Sequence, residues 1–135
     1  MSYINTLITV SSDCPAKVSE RPISIRDKQP IHVIQYESLI SKPYFYDHEN
    51  LTFEVYLIRE GLKLISQTEK QEIWNKLFTK GHPCLRASSL TKRYGFGAHY
   101  NENKKIAIYP IESAKYCELL NNPIIKKIAA MKLKR

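Results

Sequence analysis

The sequence predicts one α+β domain with a small, mostly antiparallel sheet of three to five strands covered by helices on one face. The 135 residues are enough to enclose one hydrophobic core and too few to divide comfortably into two. Hydrophobic residues make up 43% of the chain and charged residues 25%, as is typical of globular proteins. Short alternating segments and amphipathic segments follow one another along the chain. We therefore treat residues 1–135 as a single domain.

Four segments have the pattern of β-strands. Residues 4–10 combine apolar residues with threonines, and residues 51–59 alternate apolar and polar side chains most regularly. Residues 94–100 and 105–110 flank an asparagine-rich turn, which predicts a β-hairpin. We expect one sheet in which three segments pair, namely residues 53–58, 94–99 and 105–109.

Three segments are expected to form short helices. Residues 30–41 begin at a proline suited to a first helical turn, and Pro43 stops that helix. A helix beginning at residue 112 or 113 runs to residue 120, where Asn-Asn-Pro breaks it. Residues 124–131 are predicted to form the final helix.

The longest predicted helix begins at Ser66 or Thr68 and ends at Lys80. Its acidic and amide side chains come early and its lysines late, as the helix dipole favours, and a glycine follows its end. Its apolar stripe includes Trp74 and Phe78. We expect this helix to pack across the sheet through these two rings.

The chain is strongly basic, with 21 Lys and Arg against 13 Asp and Glu, a net charge of +8 and a pI near 9.4. Such an excess favours polyanionic or small anionic partners, although the basic residues near the end also suit the last turn of a helix. No run of 18 apolar residues and no secretory signal pattern is present. The sequence therefore predicts a cytoplasmic protein without membrane contact, and it leaves the oligomeric state open.

The three cysteines, Cys14, Cys84 and Cys117, are an odd number without a C-x-x-C spacing. This pattern argues against a secreted disulfide framework and against a zinc ribbon. We expect reduced thiols, no metal site and no cofactor.

Residues 81–100 concentrate most of the chemically distinctive side chains. Cations and hydroxyl groups in this segment are the groups that hold phosphate or carboxylate. The alternative is a solvent-exposed basic loop in which the glycines only give the backbone conformational freedom. The leading hypothesis is a binding module for nucleic acid or a phosphorylated metabolite, with these candidate ligand-binding residues: Arg86, Ser88, Lys92, Arg93, Gly95 and Gly97.

A second hypothesis is a thiol-dependent enzyme or redox sensor. Its candidate catalytic residues are Cys14, Cys84 and His99, because positive charge beside a thiol favours the reactive thiolate. The alternative is that each cysteine is a buried, inert side chain. For either hypothesis we expect one concave surface that brings together Cys14, Cys84, Arg86, Lys92 and His99.

The motifs D-C-P at residues 13–15, P-C-L-R-A-S at 83–88 and L-T-K-R-Y-G-x-G at 90–97 resemble those of a family of small uncharacterised bacterial proteins. That family is classed only as a domain of unknown function. The resemblance implies a bacterial, cytoplasmic, single-domain protein. It supplies no activity, cofactor or catalytic residue for any position.

Overall fold

The computed structural model describes residues 3–24 and 26–134. Its sheet contains four strands in the order β3-β2-β1-β4. The β2–β3 and β1–β2 pairs are antiparallel, whereas β4 lies parallel to β1. The strands are β1 (Thr6–Thr9), β2 (Phe96–Tyr100), β3 (Ile106–Pro110) and β4 (Lys126–Ala129).

The described residues form five α-helices and one 3₁₀ turn at Leu85–Ala87. A side-chain oxygen accepts a backbone N–H at the start of four helices, which fixes where those helices begin. No helix in the described ranges has both the length and the apolar character needed to cross a membrane. The helices are α1 (Ile31–Ser41), α2 (His48–Arg59), α3 (Gln67–Leu77), α4 (Ser89–Lys92) and α5 (Ala114–Leu120).

The sheet buries side chains on both faces. Ile8, Ala98 and Ile108 lie opposite one another on β1, β2 and β3, and they belong to the main core, against which α1 and α4 pack. Leu7 belongs to a second, smaller cluster with Tyr116 of α5. Because strand side chains alternate, α5 covers the face opposite the main core. The predicted α+β class and the predicted hairpin of β2 and β3 are confirmed, whereas the prediction of helices on only one face is wrong, because α5 packs on the second face.

The prediction of a strand at residues 51–59 is wrong, because these residues belong to α2. Asp47 caps the helix by accepting the N–H of Asn50 at 2.8 Å. Leu51 and Val55, one helical turn apart, are both buried in the main core. The same residues therefore satisfy a helical period as well as an alternating one, and the cap and the packing against α1 select the helix.

The prediction of a final helix at residues 124–131 is also wrong, because this segment contains β4. The N–H groups of Lys126 and Ala130 donate to the carbonyls of Asn5 and Thr9, both at 2.9 Å. This pairing joins the two ends of the chain. No local sequence pattern indicates a parallel partner strand more than a hundred residues away.

The helix predicted at residues 68–80 forms as α3, but it does not pack across the sheet. None of its residues is buried. Trp74 is half-buried, with its ring 5.1 Å from that of Phe53 on α2 and 4.6 Å from that of Phe78. The predicted packing of this helix across the sheet is therefore wrong, because α3 packs against α2.

Candidate functional site

A cavity of about 410 Å³ lies between α1, α2 and residues 77–89. We call it the α1–α2 cavity. Its walls are partly apolar, and six hydrogen-bonding or nucleophilic side chains face it from α1 and from the 82–89 segment. The apolar walls include Ile31, Val55, Leu77 and Ala87, and the polar side chains are His32, Gln35, His82, Cys84, Ser88 and Ser89.

Hydrogen bonds hold the Cys84–Ser89 wall against α1. The hydroxyl of Ser88 donates to Oε1 of Gln35 at 2.8 Å and accepts the N–H of Leu90 at 3.1 Å. The buried hydroxyl of Thr91 donates to the Leu85 carbonyl at 2.6 Å. This wall is therefore preorganised, because its polar groups are already held by the protein.

Charged side chains line the mouth of the α1–α2 cavity. Lys28 forms an ion pair of 2.7 Å with Glu60, and this hydrogen bond and the lysine charge lower the pKa of Glu60. Arg59 uses its Nε to donate to the Gln29 carbonyl at 3.1 Å. The mouth therefore carries two cations against one carboxylate.

Two imidazoles on the wall are held by different contacts. His32 stacks on Tyr94 with a centroid distance of 5.1 Å, and burial, followed by the charge of Arg93, lowers its pKa. Nε2 of His82 donates to the Leu77 carbonyl at 2.7 Å. Burial lowers the pKa of His48, and the nearby His82 contributes.

Cys84 belongs to a cluster with two tyrosines. Its Sγ lies 3.5 Å from the Tyr3 hydroxyl, and the Tyr3 and Tyr100 rings meet edge to face at 5.2 Å. Tyr100 is 0% exposed, and within the described residues its hydroxyl has no partner of standard hydrogen-bond geometry. Burial, followed by the Cys84 thiol, raises the pKa of Tyr100, and the nearby Leu85 N–H only partly offsets this rise.

The predicted cationic side chains lie in different parts of the structure. Nε of Arg86 donates to the Ala129 carbonyl at 2.9 Å, while the Arg86 carbonyl accepts the N–H of Met131. Lys92 ends α4, and Arg93 follows as its exposed C-cap. Arg86 therefore ties the 82–89 segment to β4, and its charge also acts on the Tyr3 hydroxyl.

Both candidate glycines have structural reasons for their identity. Gly95 has a φ of +81°, which favours glycine. At Gly97 a Cβ would lie 2.4 Å from Cε2 of Tyr116. These positions serve the backbone turn and the packing of α5, and neither glycine lines the α1–α2 cavity.

The structure does not bring His99 to Cys84. His99 lies on the sheet face opposite Tyr100, where its Nδ1 is 2.7 Å from the Tyr44 hydroxyl. Burial, followed by the charge of Lys115, lowers the pKa of His99. Cys14 donates to the Ala16 carbonyl at 3.7 Å and does not line the α1–α2 cavity.

The match to a known family covers the whole chain. A model of a family of unknown function, DUF6157, matches residues 1–135. The chain belongs to the DUF6157 family. No curated protein and no solved structure matches this DUF6157 chain.

Several side chains in this DUF6157 protein escaped the sequence analysis. His32 and Gln35 are three residues apart on α1 and line the cavity together, so two hydrogen-bonding side chains at that helical spacing were the available signal. Tyr3 and Tyr100 had no such signal, because the thiol between them comes from a distant segment.

The described residues contain no group of three or more His, Cys, Asp or Glu side chains arranged to hold a metal ion. All three cysteines are free thiols. Cys84 is half-buried, whereas Cys117 is exposed. The reactivity of the half-buried Cys84 thiol can therefore be compared with that of the exposed Cys117 thiol in the same molecule.

Proposed function

We propose that the protein binds a small anionic organic molecule, of the class of phosphorylated metabolites, in the α1–α2 cavity. The observation that carries this proposal is the combination of a 410 Å³ volume, apolar walls and convergent polar side chains with cations at the mouth. Cavities of about 300–1,000 Å³ with this composition are typical of small-molecule sites. The apolar wall accommodates the carbon skeleton, and the mouth accommodates the charged group.

Arg59 is the group proposed to hold the anion. Within the described residues only its Nε is hydrogen-bonded, so both Nη groups remain for a ligand. A guanidinium binds phosphate or carboxylate oxygens in a fork that a lysine does not offer. Lys28 is already paired with Glu60, so it contributes less net charge.

Nucleic acid, the other anionic partner expected from the sequence, fits this site less well. A duplex is held by cations spread over an open surface, and its binding falls steeply with salt. Arg86, one of the predicted cations, already donates to the Ala129 carbonyl. The enclosed volume and the short span of the mouth favour a small ligand.

Calorimetric titration of a panel of phosphorylated metabolites tests this proposal. We expect saturable binding that the substitution Arg59→Ala weakens by about tenfold or more, the cost of losing one hydrogen bond to a charged group. Arg21→Ala is the matched control, because Arg21 is exposed and lies outside the cavity. Equal losses in both variants, or binding only to oligonucleotides with a steep salt dependence, would contradict the proposal.

A second candidate function is thiol chemistry at Cys84, as an enzyme or a redox sensor. The Tyr3 hydroxyl beside Sγ and the position of Cys84 on the cavity wall favour it. Iodoacetamide labelling of the folded protein tests it, and we expect Cys84 to react and a bound metabolite to slow that reaction. Labelling of Cys84 only after unfolding would exclude this function.

A further inference from the structure

We propose that Cys84 is a thiolation site that exchanges with a small disulfide bearing carboxylate groups. This inference rests on the proposed function, because it uses the same cavity and the same cations at its mouth, with a carboxylate as the anionic group. The disulfide sulfurs would lie against Cys84, and a carboxylate would reach the cations at the mouth. Glutathione disulfide and cystine are probes of this class.

The placement of Cys84 on the cavity wall lets a ligand in the cavity approach this residue. Its side chain is half-buried, forms no disulfide and lines a cavity large enough for a small organic ligand. The Ser88–Gln35 hydrogen bond holds the neighbouring wall in place. A ligand in the cavity therefore lies against the Cys84 residue.

Two tyrosine hydroxyls belong to the cluster around Cys84. The Tyr3 hydroxyl is 3.5 Å from Sγ, and the positive charge of Arg86 acts on that hydroxyl. A nearby positive charge makes a hydroxyl a better hydrogen-bond donor. Tyr3 is therefore positioned to donate to a sulfur anion.

The hydroxyl of Tyr100, which within the described residues has no partner of standard hydrogen-bond geometry, is the second, independent observation. Burying a hydroxyl without a partner is costly, and such groups are rare in folded proteins. The Tyr100 ring meets the ring of Tyr3, whose hydroxyl contacts Sγ of Cys84, and the Cys84 thiol follows burial among the groups that raise the pKa of Tyr100. A thiolate at Cys84 is a stronger acceptor than a thiol, and it would give Tyr100 a partner.

The exchange step is balanced without another reactant. The Cys84 thiolate attacks one sulfur of the disulfide, and a bond forms between Sγ and that sulfur. The bond between the two ligand sulfurs breaks, and its electron pair leaves with the second sulfur as a thiolate. That thiolate takes up the proton that Cys84 released, so one ligand half is reduced to a thiol while Cys84 is oxidised to the mixed disulfide.

The cavity favours a carboxylate-bearing disulfide over a cationic one. Within the described part of the chain the Nη groups of Arg59 form no hydrogen bond, and Gln35 accepts from Ser88 through Oε1, which leaves its amide N–H groups for a ligand. Both groups donate to carboxylate oxygens. A cationic disulfide such as cystamine would meet like charge instead.

Intact mass and peptide mapping after incubation with glutathione disulfide or cystamine test the inference on the full chain. We expect Cys84 to be modified several-fold faster than the exposed Cys117, and faster by glutathione disulfide than by cystamine. The substitution Tyr100→Phe removes only the unpartnered hydroxyl, and we expect it to slow thiolation about tenfold, the loss of one hydrogen bond to a charged acceptor. Circular dichroism confirms that this variant is folded, and Cys84→Ser identifies the modified residue.

The outcomes separate this inference from the proposed function. Saturable, Arg59-dependent metabolite binding without modification of Cys84 overturns the thiolation site and leaves the anion site standing. Faster reaction of Cys117 than of Cys84, or a Tyr100→Phe variant that reacts at the original rate, also overturns it. Equal rates of Cys84 thiolation by both probes, with no metabolite binding, overturn the preference for a carboxylate-bearing disulfide together with the anion site.

Discussion

Gly97 lies beneath the ring of Tyr116, and β2 has no room there for a side chain. A Cβ at this position would lie 2.4 and 2.7 Å from two ring carbons and 3.3 Å from the Ile8 carbonyl oxygen. The ring is held in place, because its hydroxyl accepts the N–H of Val10 at 3.1 Å. The close approach of α5 to the sheet therefore depends on this glycine.

The substitution Gly97→Ala is expected to lower the free energy of unfolding by about 1–3 kcal/mol, the usual cost of overpacking. Gly81→Ala is the matched control, because nothing lies within 4 Å of a Cβ there. We expect that variant to be unchanged or slightly more stable, since alanine restricts the unfolded chain. Urea denaturation measures both, and equal stabilities would contradict this account of α5 packing.

At the scale of elements, the sequence predicted what local signals determine. β1, β2, β3 and α1 follow from alternation, helical spacing and turn residues close to them in the chain. Residues 51–59 fit both periods, and only the Asp47 cap and the burial of Leu51 and Val55 decide between them. β4 depends on a parallel partner at the other end of the chain, which no local pattern reveals.

The docking of α3 on α2 can be followed through Trp74, the single tryptophan. The substitution Phe53→Ala removes the ring against which Trp74 packs at 5.1 Å. We expect a red shift of tryptophan emission and a loss of about 1–2 kcal/mol, less than a fully buried phenylalanine costs, with the sheet retained by circular dichroism. Phe45→Ala is the control, because the side chain of Phe45 is 58% exposed. A loss of the whole sheet in Phe53→Ala would contradict the packing of α3 on α2 outside the main core.

Asp13 connects the first loop to the last residues described. Its carboxylate accepts the hydroxyl of Ser11 at 2.6 Å and the N–H groups of Leu133 and Lys134 at 2.8 and 2.9 Å. These bonds, the Ser11 bond first, hold the pKa of Asp13 well below its ordinary value of 3.8. A lowered carboxyl pKa stabilises the fold above the unfolded-state pKa, and this stabilisation is lost as the pH falls toward the folded-state value.

The stability difference between the original protein and Asp13→Asn is therefore expected to be constant from about pH 5 to 8 and to shrink below about pH 4. Chemical denaturation at a series of pH values measures this difference. Asp27→Asn, at an exposed aspartate, is the control variant. A stability difference for Asp13→Asn that grows as the pH falls would contradict this role of the Asp13 carboxylate.

At the scale of the whole molecule, the candidate site combines segments that are far apart in the sequence. Residues 81–100, singled out for their density of functional groups, include one wall of the cavity, through Cys84 and Ser88. The opposite walls come from α1 and α2, and α2 was predicted as a strand. His99, in the same dense segment, faces away because neighbouring strand residues point to opposite faces. Proximity in sequence therefore located part of the site, whereas the fold determined its other members.

The most direct test of the α1–α2 cavity as an anion site is a two-dimensional NMR titration with a sugar phosphate at moderate salt. We predict saturating shifts that are largest at the backbone amides of Gln35, Arg59, Cys84 and Ser88, with the hairpin turn at residues 101–104 unmoved. Shifts that fail to saturate, or that spread over the basic edge strand at Lys126 and Lys127 and leave the cavity amides unchanged, would contradict the proposed site.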